Sequence, residues 1–300
     1  RLLTSAAELH VRGTRIDWTA AVSGAWLPDL PTYQFQHERF WLDADPGSSV
    51  RGTGLTDAGH ALLDAVVPLA DGGTLVTGAL SLAAHPWLAD HRAGENVILP
   101  GTALLDIFAH VGDLIGTPVV TELTITTPVL VHEDDVVELR LTVTGDGEAT
   151  LHTRTGADQE WTLNATGLLG RHADVPPWPD APDPAEASVI DVADVYDRHP
   201  MTYGPAFRLL ERARTAGGEL LAEVRLPDTA DTSGYGIPPA LLDAVLHPLG
   251  ASRFFTDPDT ARLAFSWSGV RVHATGARAL RARLRATGPD EIAITVTDPA

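Results

Sequence analysis

HRAGENVILPGTALLDIFAHVGDLIG, residues 91–116, carries the reading of this chain. Its second part, TALLDIFAHVGDLIG (Thr102–Gly116), places Leu104, Leu105, Ile107, Phe108, Val111 and Leu114 at helical spacing, with Gly116 as a stop. Its first part sets His91 and an apolar run ahead of Pro100-Gly101, where that helix opens. A base and a helix N-terminus would then face one small pocket, which suits proton abstraction beside a carbonyl. Imidazole titrates nearest neutrality, and the free N–H groups of a helix start favour negative charge developing on oxygen. Taken alone, the pattern fits equally a histidine whose hydrogen bonds are purely structural.

Working outward, ALLDAVVPLA and GTLVTGALSLA upstream read as strands joined by a turn at Asp71-Gly72-Gly73. Downstream, VVTELTITTPVLV, DVVELRLTVTG and EWTLNATGLLG are three more strand candidates. DVPPWPDAPDPAEA (Asp174–Ala187) is Pro-rich and acidic, and reads as an interdomain crossing. The order then repeats: a short helix at DVADVYDRH, strands at RLLERARTAG and GELLAEVRLP, a helix PPALLDAVLHPLGASRFF, and strands AFSWSGVRVHAT, ARALRARLRAT and EIAITVT. Two halves follow, each one helix wrapped by an antiparallel sheet, an α+β fold. The boundaries are a linker over 1–52, a first half over 53–173, a connector over 174–188 and a second half over 189–300. Within the linker, LPTYQFQHERFWL (Leu30–Leu42) is dense in aromatics without a period and is expected to pack on a neighbouring domain.

Composition narrows the function. The chain has 300 residues, 44% hydrophobic and 20% charged, enough for one large or two ordinary globular domains. No apolar run approaches the ~18 residues of a membrane span, and the start lacks a secretory signal. With no cysteine there are no disulfides, thiolate metal sites or cysteine nucleophiles, and the expected setting is cytoplasmic. A net charge of −19 argues against nucleic acid as partner. Lysine is absent, which excludes a Schiff base and a P-loop lysine. A metal site from His85, Asp90 and His91 has poor spacing, so no metal is expected.

Two further sites carry chemistry. Asp243 and His247 stand four apart on the predicted second helix, so they can touch. Among Leu241, Leu242, Val245 and Leu246 the carboxyl loses solvation, which would raise its pKa and keep it protonated, as a general acid requires. The spacing alone also fits an exposed surface pair. Tyr203-Gly204-Pro205-Ala206-Phe207 is a turn whose phenol either projects into a cleft or serves the structure.

Together these pieces resemble the dehydratase domain of modular type I polyketide synthases, over nearly the whole chain. His91 and Pro100 keep the outer spacing of the family's first motif, in which a glycine lies between. Tyr203–Phe207 matches YGPxF, and Asp243 with His247 matches the third motif, an Asp with Gln or His four residues on. FSWSGVRVHATGA (Phe265–Ala277) resembles a later strand region, and LPTYQFQHERFWL the linker that follows an acyltransferase domain.

The resemblance implies an α+β double hotdog with the substrate tunnel between the halves. It implies a hydro-lyase that converts a 3-hydroxyacyl thioester into a 2-enoyl thioester, with His91 as base and Asp243 as acid. Gly101, at the helix start, would hold the thioester oxygen, Tyr203 and His247 would orient the hydroxyl and the acid, and Leu99, Pro100 and Pro205 would line the substrate site. No cofactor is bound by the domain, since the acyl chain travels on the phosphopantetheine of an acyl carrier protein. The carrier, the neighbouring acyltransferase and ketoreductase domains and a second copy in a homodimer are the implied partners. The same fold also serves double-bond isomerases, pyran-forming dehydratase-cyclases and silent structural modules.

The chain departs from the family pattern in four places. Glu95 stands where the motif has glycine, with Gly94 one place early, so a turn that needs positive φ would have to be rearranged. Pro238 replaces a histidine before PALLD, Ala264 replaces a proline before FSW, and the end at ITVTDPA implies a second sheet short of an edge strand.

Overall fold

The computed structural model describes residues 1–19, 21, 55–172, 187–197, 199, 201–250 and 264–299. The aromatic strip at 30–42 and nearly all of the connector at 174–188 lie outside the described residues. The chain divides into two compact units, Arg1–Asp45 and Pro46–Ala300. In the first, α1 (Leu2–Val11) buries none of its residues.

In the second unit, β1 (Thr56–His60), β2 (Leu63–Pro68) and β3 (Thr74–Leu80) form an antiparallel run. The turn at Asp71-Gly72-Gly73 lies where the sequence predicts it, closed by the Gly73 N–H donating to Asp71 Oδ1. A 3-10 turn at Pro86–Asp90 leads into the short strands β4 (His91–Ala93) and β5 (Asn96–Val97), and then into α2 (Gly101–Leu114). Four strands follow: β6 (Val119–Ile125), β7 (Val137–Val143), β8 (Glu148–Thr155) and β9 (Thr162–Gly170). Of these, β8 is missed by the sequence reading. Its alternation turns only Ala149, Leu151 and Thr153 fully inward, too little apolar character to stand out as a strand.

The second half holds β10 (Ser188–Ile190), α3 (Val192–Asp197), β11 (Thr202–Tyr203), β12 (Leu210–Ala216), β13 (Glu219–Arg225), α4 (Pro239–Ala244), β14 (Ser266–Arg271), β15 (Ala279–Gly288) and β16 (Glu291–Thr297). The helix predicted over PPALLDAVLHPLGASRFF is short. After Ala244 the bonds tighten to i→i+3, from Val245 to Leu242 and from Leu246 to Asp243, and a 3-10 turn covers His247–Leu249. Pro248 explains this, because it has no N–H for the Ala244 carbonyl and disfavours α geometry at the residue before it.

One eight-stranded sheet runs β1-β2-β3-β7-β8-β9-β6-β14, and one five-stranded sheet runs β10-β12-β13-β15-β16. Sequence order assigns FSWSGVRVHAT to the second half's sheet, yet β14 pairs antiparallel with β6, from Ser266↔Thr124 to Arg271↔Val119. Trp267 and Val270 pack there against the first core, burial that a place in the other sheet would not give them. That core surrounds α2, with Leu104, Ile107, Phe108 and Val111 fully buried. The second surrounds α4, with Leu241, Ala244 and Val245 against Leu220 and Leu284, while Leu242 of the same helix belongs to the first. A helix packed on an antiparallel sheet, twice, is the expected α+β double hotdog, and α4 stands between its two cores. No helix among the described residues is long and apolar enough to cross a membrane.

Candidate active site

His91 begins β4 straight after the 3-10 turn, and its residue exposure is 3%. The Ile98 carbonyl lies 2.7 Å from His91 Nδ1, and a carbonyl only accepts, so the proton is on Nδ1 and the Nε2 lone pair is free to act as base. The Ile98 N–H donates back to the His91 carbonyl. The hairpin between them resolves the Glu95 departure. Ala93 pairs with Asn96, so Gly94-Glu95 is a two-residue turn. Gly94 has φ +60°, while among the described residues none other than glycine has positive φ. Glycine at the first of two turn positions is the type II′ arrangement, which matches strand twist and leaves the second position open to any residue. Glu95 is exposed there, and the loop closes without rearrangement.

Asp243 comes from the end of α4, in the other half. Its Oδ2 is 3.8 Å from His91 Nε2 and 2.9 Å from His247 Nε2. His247 keeps the i,i+4 contact although it lies in the 3-10 turn. A chain of polar groups stands behind it: the Leu210 N–H donates to the Tyr196 hydroxyl, which is 3.4 Å from His247 Nδ1. A carboxylate only accepts, so with Asp243 ionised it is His247 Nε2 that carries the proton and donates to Asp243, while the Tyr196 hydroxyl also lies 3.5 Å from the Phe207 carbonyl. Asp243 Oδ1 has no protein partner among the described residues.

Tyr203 reaches the site because β11 pairs with β4, setting Tyr203 opposite His91. Its ring stacks on His247 with centroids 3.8 Å apart, and Phe207 lies 4.9 Å from the His91 ring. Asp90, next to His91, holds the YGPAF loop: its carbonyl accepts the Gly204 N–H, and its Oδ2 accepts the Ala206 N–H at 2.7 Å. A Cβ at Gly204 would collide with the Asp90 carboxylate, so the motif's glycine is there for close approach.

The electrostatics correct one expectation. Burial does push the Asp243 carboxyl up, as predicted from its apolar neighbours. The hydrogen bond from His247 and the charges of His247, His91 and His199 outweigh that push, and the net direction is down. The Tyr203 phenol is raised well above its ordinary range by burial, with the Asp243 and Tyr196 charges adding, and stays protonated. His199 is pushed down to about 4 by burial and by the His247 charge, so it is neutral near pH 7.

The structure thus brings together His91, Asp243, Tyr203 and His247. Pro100 and Gly101 start α2, where no side chain among the described residues caps the helix. Beside Gly101, 3.9 Å from where a side chain on it would begin, is the Trp267 indole nitrogen, buried without a hydrogen-bond partner among the described residues. Leu99 is buried in the first core and bonded through its N–H to Val129. Pro205 is exposed in its loop. The sequence reading misses Tyr196 and His199, and weighs Asp90 only as a metal ligand. Only Asp90 carried a signal, as the neighbour of His91. Of the weighed metal ligands, His85 bonds the Ala61 carbonyl and Asp90 the YGPAF loop.

Two family models match the chain, one described as the polyketide synthase dehydratase domain over residues 60–155, the other as the polyketide synthase dehydratase N-terminal domain over residues 174–298. Polyketide synthase GfsA of Streptomyces halstedii is 42% identical across 96% of this chain, which spans only 4% of that protein. Among solved structures, a dehydratase from the borrelidin and fluvirucin synthase work has 37% identity and a TM-score of 0.75, covering 83% of this chain and 92% of its own. The dehydratase domain from the terminal module of the rifamycin synthase has 34% identity and a TM-score of 0.74, covering 84% and 95%.

Proposed function

Because the chain belongs to the polyketide synthase dehydratase family, we propose that it removes water from a 3-hydroxyacyl thioester carried on the phosphopantetheine of an acyl carrier protein. The observation that carries the reading is the 3.8 Å approach of His91 Nε2 to Asp243 Oδ2, one group from each half. His91 Nε2 takes the C2 proton while its Nδ1–H stays on Ile98. Asp243 gives a proton to the C3 hydroxyl, which leaves as water as the C2–C3 double bond forms. The Gly101 N–H at the start of α2 offers the thioester oxygen a donor as enolate charge builds, and the Trp267 N–H is a second donor beside it. Tyr203, protonated and with its hydroxyl free of protein partners among the described residues, orients the C3 hydroxyl. His247 holds the acid.

The downward direction at Asp243 fits this cycle. Elimination leaves an imidazolium at His91 and a carboxylate at Asp243, and the hydrogen bond and charge of His247 favour that carboxylate. Return of one proton across the 3.8 Å gap restores the neutral pair, and an acyl chain that displaces water favours that transfer because both charges lose solvation. The neighbouring acyltransferase and ketoreductase domains, and a homodimer, belong to the same proposal.

With 3-hydroxyacyl carrier substrates, His91→Phe and Asp243→Asn are each expected to lower enoyl product at least about a hundredfold. Mass spectrometry of the acyl-carrier product reads this directly, and undiminished turnover in both variants would reject the assignment.

A further inference from the structure

A second buried carboxylate lies outside the catalytic group and takes no part in the chemistry above. Asp106, in the middle of α2, is 4% exposed and accepts two hydrogen bonds from different elements. Its Oδ2 is 2.9 Å from His60 Nε2, and its Oδ1 accepts the Ile237 N–H at 2.9 Å. The His60 tautomer is set by the Leu62 N–H, which donates to Nδ1, so Nε2 carries the proton and gives it to Asp106. One turn earlier on α2, the Thr102 hydroxyl donates to the Pro239 carbonyl, buried, at 3.0 Å. The Ala61 N–H donates to Gly234. A Cβ at Gly236 would come within 2.9 Å of Asp106 Oδ1, so the segment lies directly on the carboxylate.

The segment held this way, Gly234–Pro239, enters α4, and Asp243 follows about one helical turn after Pro239. We infer that Asp106, fixed by His60 and assisted by Thr102, is the positioning residue that sets Asp243 against His91. This rests on the acid role proposed for Asp243 and adds what places it. Apolar packing of Leu241 and Leu242 holds α4 between the cores but tolerates sliding, whereas hydrogen bonds at 2.9–3.0 Å with fixed donor directions set position along the helix. His91 is held independently, by Ile98 and by the β4–β11 ladder, so loosening Asp106 displaces the acid and leaves the base in place.

The test is steady-state kinetics of the full chain on 3-hydroxyacyl pantetheine thioesters, with circular dichroism as the check on folding. Asp106→Ala is expected to lower kcat about tenfold or more, with KM within about twofold, since misplacement of about an ångström falls on the chemical step. Asp106→Asn keeps an oxygen for one of the two donors and is expected to recover part of that loss. Thr102→Val, which removes one hydroxyl without a change of shape, is expected to lower kcat about threefold. These two milder variants decide the matter if Asp106→Ala does not fold. Parental kcat in all variants that fold, or KM rising in step with falling kcat, overturns the inference. Asp243→Asn in the same assay separates the two readings. If it is inactive while the Asp106 and Thr102 variants keep full kcat, the positioning role alone falls; if it turns over normally, the acid role falls and the positioning role with it.

Discussion

His199 lies in an environment that its place in the sequence does not suggest. Its ring lies 4.8 Å from Tyr203 and 5.9 Å from His247, and burial with the neighbouring charge pushes it from 6.5 down to about 4. In the unfolded chain the same imidazole gains its proton near 6.5. Between 6.5 and 4 the unfolded state therefore binds more protons, and stability is lost as pH falls through that window. His199→Gln removes the titration and is expected to show a smaller loss of urea stability between about pH 7 and pH 5 than the parent. An identical loss in both proteins would mean that His199 takes up a proton as freely when folded. Legibility at this scale followed distance along the chain. The pairing of Asp243 with His247 could be read, because four residues of helix bring two side chains together whatever surrounds them. The sign at Asp243 could not, because burial pushes the carboxyl up while the His247 hydrogen bond and charge, with His91 and His199 adding, push it down, and only the fold sets that balance.

Among the elements, the β4–β5 hairpin turns an apparent defect into an ordinary solution. The sequence marks Glu95 as out of place, while the backbone needs its positive φ one residue earlier, at Gly94. Gly94→Ala is thus expected to cost about 1 kcal/mol, the ordinary penalty for a Cβ in the left-handed region, and to lower turnover, because this hairpin carries His91. Glu95→Gly, which restores the family's residue, is expected to change stability by less than about 0.5 kcal/mol. Chemical denaturation of the two variants checks both, and the reverse ranking would mean the turn is of another type. Elements with a strong period, such as α2, were legible. β8 was not, because its inward positions are only Ala149, Leu151 and Thr153, too little apolar character to mark a strand, and α4 was overestimated because Pro248 ends α geometry inside a continuous apolar pattern.

For the second unit as a whole, order along the chain suggested two self-contained halves, but the contacts interleave them. β14 from the second half completes the first sheet, β11 pairs with β4, Leu242 enters the first core, and Asp106 and Thr102 bond the approach to α4. Sequence order could not reveal this, since edge pairing is decided by which strand finds an open ladder and apolar cover. Residues 53–173 alone would leave the β6 edge unpaired and the first core without Trp267, Val270 and Leu242. That fragment is expected to be insoluble or to lack a cooperative melt. In the full chain these shared contacts should make both sheets unfold together, with one heat-capacity peak for the second unit and equal calorimetric and van't Hoff enthalpies. Two resolved transitions, or a cooperative melt of fragment 53–173 by itself, would show that each half is stable alone. The alignment of His91 with Asp243 would then depend on docking two independent domains, and a single shared core would not be what fixes it.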